Sequence, residues 1–208
     1  TLAADSTATV AVADGANGIV SLFTDTTDNN EAAIRSTTEL FKFGVDREIY
    51  GRAKVQYAEN DTNKANVFFG FYSAFAADTL GNNGAGPRAS GDGVGIYKVD
   101  GSTVWKTVSM TNGTQVLNTS TTTAGGSAAQ VLEVIVVDHD DGVNMTATFK
   151  VNGDYLKDSN GAVIRHAVLI ASATEMNVGA YVKTGGGSGG ETLSVDYIYN
   201  VKRTGSSI

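Results

Sequence analysis

Four aromatic side chains near the middle of the sequence have the chemistry needed to bind a sugar. They are Phe68, Tyr72, Tyr97 and Trp105, and the last is the single tryptophan of the chain. Aromatic rings on one face of a sheet could stack on sugar rings, because their large apolar surfaces pack well against other ring faces. The same rings could instead fill a hydrophobic core or a contact between subunits. Tyr72, Tyr97 and Trp105 are therefore candidate contacts to a carbohydrate or to a protein partner, and the sequence leaves both interpretations open.

Segment 138–142, DHDDG, places three carboxylates and one histidine close together. Oxygen atoms are the ligands that Ca²⁺ prefers, so Asp138, Asp140 and Asp141 could hold an ion. The spacing differs from that of an EF-hand, and aspartate and glycine are common turn formers. We predict a structural turn without a bound metal here, with ion binding as the alternative.

The remaining polar motifs predict neither an active site nor a cofactor. His139 and His166 stand far apart in the sequence, and neither belongs to a recognisable catalytic motif. The glycine-rich stretches GNNGAGPRASGDG and TGGGSGG lack the helix that must follow a phosphate-binding loop, so we predict mobile surface loops. The chain has no cysteine, which excludes a thiol nucleophile, a disulfide and a cysteine-bound metal. We therefore predict no catalytic residue, no cofactor and no metal ligand.

Charge and composition narrow the possible partners. The 208 residues carry a net charge of −7 with an isoelectric point near 4.7, so we expect no binding to nucleic acid, whose phosphates attract clustered lysine and arginine. No apolar run reaches the roughly 18 residues that a membrane-spanning helix needs, so we expect no membrane span. Glycine and threonine are abundant, which favours turns and strands over long helices.

Alternating apolar and polar residues predict that the chain folds into short β-strands. In residues 49–57 and 145–151 every second side chain faces a core in this pattern. Residues 65–75, ANVFFGFYSAF, are apolar on both faces, which indicates a central strand covered on both sides. The residues near the C-terminus that are predicted to share one face are Leu193, Val195, Tyr197, Tyr199 and Val201. Roughly ten to thirteen such strands predict an all-β fold, a two-sheet antiparallel sandwich.

Turn signals and composition suggest how the chain is divided. Asp100-Gly101 and Asn152-Gly153 predict tight two-residue turns, because a type I′ turn needs positive φ at both central residues. Residues 1–36 are small, polar and weakly alternating, so we predict an N-terminal arm or edge strands there, with at most one helical turn at residues 31–35. One domain is predicted to follow over residues 37–208.

The order of these strands resembles that of a concanavalin A-like jelly roll. The stretch LSVDYIYNVKR is similar to the last strand of laminarinase-type glucanases and laminin-G-like modules, and TATFKVNGDYL is similar to their back-sheet hairpin. The resemblance covers about residues 37–203 and implies a two-sheet antiparallel jelly-roll β-sandwich. The glucanases of this fold carry two carboxylates on one strand, as in Glu-x-Asp-x-Glu, and no such string occurs here. We therefore expect that the chain is not an enzyme.

A narrower resemblance is to sandwich proteins of tailed-phage virions, which carry strings similar to residues 68–71 (FFGF), 92–94 (DGV) and 97–105 (YKVDGSTVW). It implies a non-catalytic decoration, or cement, protein on the capsid exterior of the virion that binds between capsid subunits. The expected partners are the major capsid protein and copies of this chain, for which a trimer would suit a three-fold axis. The alternative is a carbohydrate-binding module or lectin-like domain of a phage or bacterial surface protein, whose partner would be a glycan.

Overall fold

The computed structural model describes residues 2–4, 7–13, 18–73, 75, 77–126, 128–139, 143–169, 174–186 and 189–204. Within these residues the chain forms fifteen β-strands and one turn of 3₁₀-helix at Asn82–Gly84. In chain order the strands are β1 (Leu2–Ala4), β2 (Thr9–Ala13), β3 (Ile19–Phe23), β4 (Glu31–Arg35), β5 (Asp46–Ala58), β6 (Ala65–Tyr72), β7 (Gly93–Lys98), β8 (Val104–Thr111), β9 (Thr114–Thr123), β10 (Gln130–Asp138), β11 (Asn144–Val151), β12 (Asp154–Tyr155), β13 (Arg165–Leu169), β14 (Asn177–Thr184) and β15 (Thr192–Thr204). No helix in this described part of the chain is long and apolar enough to cross a membrane.

The strands form two antiparallel sheets. Sheet A has seven strands in the order β1-β4-β14-β6-β7-β8-β9. Sheet B has eight strands in the order β12-β11-β10-β5-β15-β3-β2, and β13 pairs with β11 on the same side as β12. The long strands β5 and β15 come from distant parts of the sequence and lie side by side in sheet B. This arrangement confirms the predicted all-β, two-sheet antiparallel sandwich.

The main hydrophobic core lies between the two sheets. Its members alternate along each strand with outward-facing residues, because successive side chains of a strand point to opposite faces. They include Val67, Phe69 and Phe71 of β6 and Leu132, Val134 and Val136 of β10. The alternation that predicts the strands from the sequence therefore also selects the residues that hold the sheets together.

Gly70 lies where β6 and β7 approach each other closely. It pairs with Gly95, and a Cβ atom at position 70 would lie 2.2 Å from the carbonyl oxygen of Val94. The obstructing atom belongs to the backbone, so the neighbour cannot move aside as a flexible side chain would. This contact explains why a strand rich in aromatic residues carries glycine at its centre.

Residues 2–35 contribute strands to both sheets. β1 pairs with β4 in sheet A, and β2 pairs with β3 at the edge of sheet B. Leu22 of β3 and Ala32 of β4 are buried in the main core. Residues 31–35, for which the sequence allowed one helical turn, form a strand because β1 and β14 pair with its two edges. A domain boundary near residue 37 stays a prediction.

The two predicted tight turns differ in backbone conformation. Asn152 and Gly153 both have positive φ, 53° and 88°, as a type I′ turn requires. At the other turn Gly101 has a φ of 76°, whereas Asp100 is not among the described residues with positive φ. β7 and β8 are joined by the whole of segment 99–103, a longer connection than the pattern suggested. The prediction of a type I′ turn at Asp100-Gly101 is therefore wrong.

Candidate functional site

Three of the four candidate aromatic residues lie on the outer face of sheet A, and all three are buried. Phe68, Tyr72 and Tyr97 have exposed fractions of 1%, 0% and 4%. They are covered by the connection between β6 and β7, residues 73–92, which we call the covering segment; the structure describes all of it except 74 and 76. Phe68, Tyr72 and Tyr97 thus belong to a second hydrophobic cluster, separate from the main core. This cluster also includes Phe75 and Leu80 of the covering segment and Tyr181 of β14.

Two buried charged side chains of the sheet, Lys183 and Glu31, hold the covering segment in place. The ammonium group of Lys183 lies 2.5 Å from a carboxylate oxygen of Asp78 and 3.3 Å from the carbonyl oxygen of Leu80. The backbone N–H of Asp78 donates to both carboxylate oxygens of Glu31, at 3.0 and 2.9 Å, and Glu31 also accepts from the Tyr181 hydroxyl. The hydrogen bond from Lys183 lowers the pKa of the Asp78 carboxyl, so the ion pair persists at mildly acidic pH. A segment whose glycine-rich composition predicts a mobile surface loop is thus anchored at several points.

Trp105 lies on the opposite face of sheet A, inside the main core. Its side chain is fully buried, its ring packs edge-to-face on Tyr57 with centroids 6.1 Å apart, and its indole N–H donates to the side-chain oxygen of Gln130 at 2.8 Å. The sheet therefore separates Trp105 from Tyr72 and Tyr97. None of the three candidate residues can reach a sugar ring from solvent in this structure.

Only part of the DHDDG segment lies within the described residues. Asp138 forms an ion pair with Arg47 at 3.1 Å, and His139 contacts the hydroxyl group of Thr146. Asp140 and Asp141 lie outside the described residues, as does Gly142. Among the described residues, no group of three or more histidine or carboxylate side chains could hold a metal ion.

His166, on β13, joins the two sheets through buried hydrogen bonds. Its Nε2 atom lies 3.1 Å from the Thr107 hydroxyl and its Nδ1 atom lies 3.0 Å from the Ser109 hydroxyl. Hydroxyl groups can both donate and accept, so they match the one donor and one acceptor of a neutral imidazole. Burial lowers the pKa of His166 to about 4, which keeps the ring neutral at physiological pH. This cluster links sheet B to β8 of sheet A and has a structural role in the core.

Glu191 is a buried titratable group immediately before β15. Its side chain is fully buried, and among the described residues neither carboxylate oxygen has a hydrogen-bond partner of normal geometry, although the backbone N–H of Asn60 is close enough to lower the pKa of the group. Burial raises its pKa to about 7, and the negative charge of Glu59 adds to the shift. The buried ammonium group of Lys98 opposes the shift but is bonded to Glu59, at 2.6 Å. The Glu191 carboxyl therefore exchanges its proton near neutral pH.

An open groove on the outer face of sheet B combines aromatic rings with charged groups. It has a volume of about 250 Å³ and is lined by Glu48, Tyr50, Tyr199, Val201 and Arg203. The rings of Tyr50 and Tyr199 meet edge-to-face with centroids 6.2 Å apart, and 54% of Tyr199 is exposed. The Arg203 guanidinium lies 3.7 Å from a carboxylate oxygen of Glu48 at one end. We call this feature the sheet B groove.

A β-bulge at Asp196 places Tyr199 in the sheet B groove. Val195 pairs with Val55, and the next paired residue, Tyr197, is opposite Lys54, so the register shifts by one at this point. Val195 therefore points into the core, whereas Tyr197 and every second residue after it point outward. The prediction that Leu193, Val195, Tyr197, Tyr199 and Val201 share one face is wrong for this reason. The apolar and polar residues of the sequence continue to alternate through this point, so the pattern does not reveal the bulge. The only residue that could have indicated it is Asp196.

A hydrogen bond holds one ring of the groove in place. The Tyr50 hydroxyl donates to a carboxylate oxygen of Glu133 on the neighbouring strand at 2.6 Å. Partial burial and this contact raise the pKa of Tyr50 to about 12, so its phenol is neutral at physiological pH. The sequence shows Tyr50 on the solvent-facing side of its strand, but it does not reveal that Tyr199 and Arg203 stand beside it. A fixed ring next to an exposed ring can hold a flat, partly apolar ligand.

No protein-family model matches the chain, and no curated protein matches it. Solved structures of similar fold include the carbohydrate recognition domain of Emp46p in its potassium-bound form, with a TM-score of 0.64 and 9% identity over 98% of this chain and 88% of that one. The legume lectin-like domain from Entamoeba histolytica has a TM-score of 0.62 and 10% identity over 99% of this chain and 90% of that one. An endo-1,3-beta-glucanase from Streptomyces sioyaensis has a TM-score of 0.57 and 13% identity over 91% of this chain and 77% of that one.

These similarities show that the chain has the concanavalin A-like jelly-roll fold, as the sequence resemblance predicts. The fold is shared by lectin-like domains and by a glucanase. A fold with both kinds of member does not decide between binding and catalysis, because function depends on the surface groups that each chain carries on the fold.

Proposed function

We propose that this chain is a non-catalytic carbohydrate-binding domain that holds an oligosaccharide in the sheet B groove. The observation that carries the proposal is the exposed ring of Tyr199 beside the fixed ring of Tyr50, with Glu48 and Arg203 at one end. The rings offer apolar faces for a sugar ring, and the charged groups offer a hydrogen-bond acceptor and donors for its hydroxyl groups. Binding sites for small ligands commonly combine apolar walls with a few polar groups in this way.

The charge balance of the groove favours a neutral sugar. Its lining contains one carboxylate and one guanidinium, which lie 3.7 Å apart. An anionic sugar would have to separate this pair or approach Glu48 directly, whereas hydroxyl groups can bond to both members without net charge. The lectin-like domains among the similar structures support a carbohydrate as the ligand class, and the rings and charged groups of this chain support the sheet B groove as its position.

Replacing Tyr199 with alanine is expected to weaken glycan binding by about tenfold or more, equivalent to about 1.4 kcal/mol, because the exposed stacking surface is lost. A glycan array would identify a ligand, and calorimetric titration with that ligand would compare the variants. Tyr155→Ala is the matched control, since Tyr155 is 43% exposed on sheet B and lies outside the groove. An array without a bound glycan, or a Tyr199→Ala variant that binds as tightly as the unaltered protein, would contradict the proposal.

The absence of catalysis is part of the proposal. The similar glucanase shares the fold, but the sequence of this chain contains no Glu-x-Asp-x-Glu string of the kind that the resemblance to glucanases implies for catalysis. Incubation with laminarin, a 1,3-β-glucan, is expected to release no reducing ends above a buffer blank. Measurable hydrolysis that survives purification to homogeneity would replace the binding proposal with an enzymatic one.

A role as a virion component remains a prediction from the sequence resemblance. Neither the described residues nor the similar structures bear on the major capsid protein as a partner or on the capsid exterior as a location. The lectin-like neighbours favour the carbohydrate-binding proposal over it.

A further inference from the structure

β9 forms an edge of sheet A that lacks the usual protection against pairing with another chain. It pairs with β8 on one side, and no other described strand pairs with it. Its ten residues, TQVLNTSTTT, contain no charged residue and no proline. Edge strands in monomeric proteins commonly carry lysine, proline or an inward-pointing charge, because a free row of backbone N–H and C=O groups is a template for another strand.

The first part of β9 is the open part of this edge. Val116 and Leu117 are 43% and 49% exposed, and they lie on opposite faces of the strand. Beyond them the edge is occupied, because the backbone N–H of Thr121 donates to the carbonyl oxygen of Lys157 at 3.0 Å. The free edge therefore runs from Thr114 to Ser120, with Leu117 at its midpoint.

The other strand edges are shorter or charged. β1 and β2, at the opposite ends of the two sheets, have three and five residues. The unpaired part of β15 beyond β3 contains Lys202 and Arg203, which would oppose an approaching copy with the same charges. β9 is thus the longest uncharged edge among the described strands.

We propose that two copies of this chain associate by antiparallel pairing of their β9 edges around a two-fold axis at Leu117. In a two-fold pairing of this kind the two Leu117 side chains are opposite each other on one face. Val116 then lies opposite Asn118 of the second copy, and Gln115 opposite Thr119. All of these side chains are neutral, so the contact avoids the repulsion that a net charge of −7 imposes on most other contacts between copies.

A second copy suits this edge better than an unrelated strand. The same neutral residues lie on both sides of the axis, so each polar side chain meets another polar or small apolar one. The pairing also satisfies the free backbone groups on both copies at once, which is the arrangement that closes a symmetric dimer. The two seven-stranded A sheets would then form one continuous sheet of fourteen strands.

Single cysteine variants test the register directly, because the chain has no cysteine of its own. Opposite Cα atoms in an antiparallel pair lie about 4.5 to 5.5 Å apart, within the range that a disulfide spans. Leu117→Cys is therefore expected to give a dimer of twice the chain mass on a non-reducing gel after mild oxidation. Thr119→Cys is the control, since its two copies would lie four residues apart along the strand, about 14 Å, and should stay uncross-linked.

Sedimentation of the unmodified protein and two lysine variants completes the test. The unmodified protein is expected to sediment as a dimer at high micromolar concentration. Leu117→Lys is expected to sediment as a folded monomer. The variant should fold because the side chain at position 117 is exposed in a single copy, and it should not pair because two lysine side chains would lie opposite each other across the axis. Val12→Lys introduces the same charge at the β2 edge, where Val12 is 76% exposed, and is expected to remain a dimer. A monomeric unmodified protein, a dimeric Leu117→Lys variant or equal cross-linking at positions 117 and 119 would overturn the proposal. Loss of the dimer in Val12→Lys alone would place the contact at β2 instead.

Discussion

Replacing Trp105 with alanine is expected to lower the free energy of unfolding by about 3 to 5 kcal/mol, the usual cost of truncating a buried tryptophan. Its side chain is fully buried, packs on Tyr57 and donates a hydrogen bond to Gln130. Truncation would leave a cavity between the sheets and an amide oxygen without its partner. Urea denaturation should show a lower midpoint with an unchanged slope, provided that the variant unfolds in one step.

The matched comparison is Tyr199→Ala, which removes a large aromatic ring from the surface. Because Tyr199 is 54% exposed, its loss should change the free energy of unfolding far less, by about 0.5 kcal/mol or less for a typical surface site. The two variants separate packing from ligand contact. A Trp105→Ala variant with nearly unchanged stability and lost glycan binding would show that Trp105 belongs to a binding surface after all.

Replacing Glu191 with glutamine is expected to stabilise the protein at pH 8 by up to about 3 kcal/mol and to have little effect at pH 4. The pKa of Glu191 is raised from 4.5 to about 7 in the folded protein, mainly by burial. Between these two values the unfolded chain has lost a proton that the folded protein retains, so ionisation destabilises the fold as pH rises. The full cost is present above pH 7, and glutamine removes it because it carries no charge.

His166 should produce the opposite trend, which makes it the control for this experiment. Its pKa is lowered from 6.5 to about 4 by burial, so the unfolded chain binds a proton that the folded protein does not, and stability falls as pH decreases from 6.5 to 4. The two effects oppose each other over most of this range, and the unaltered protein should have a nearly flat profile. Thermal denaturation from pH 4 to 8 should show stability rising with pH in Glu191→Gln and falling with pH in His166→Gln. Parallel profiles for all three proteins would contradict the assignment.

The strands and the fold class could be predicted because they depend on local pattern. Every second residue of 132–136 and of 145–151 is apolar, and the structure buries these residues, among them Leu132, Val134 and Val136, between the sheets. A strand that is buried on one face has an apolar residue at every second position, whichever strands it pairs with. The strands could therefore be predicted without knowing their partners in the sheet. The apolar character of β6 on both faces also correctly indicated that its outer side is covered.

The positions of the functional groups could not be predicted because they depend on register and on distant segments. Nothing near Tyr72 or Tyr97 shows that Lys183, about a hundred residues away, anchors a cover over them through Asp78. The sheet B groove depends on the bulge at Asp196, which reverses the outward face of β15 within one residue. A one-residue change in register moves every later side chain to the other face, and composition cannot report it.

The covering segment has a consequence for how this fold could diverge. It creates a second hydrophobic core on the outer face of sheet A, in which the aromatic side chains of Phe68, Tyr72 and Tyr97 lie side by side on the sheet. Their strands are already held by the main core on the opposite side. Shortening the covering segment would expose these aromatic side chains to solvent without altering the sheet beneath them. A change in loop length would then be enough to give the same fold an exposed aromatic binding surface.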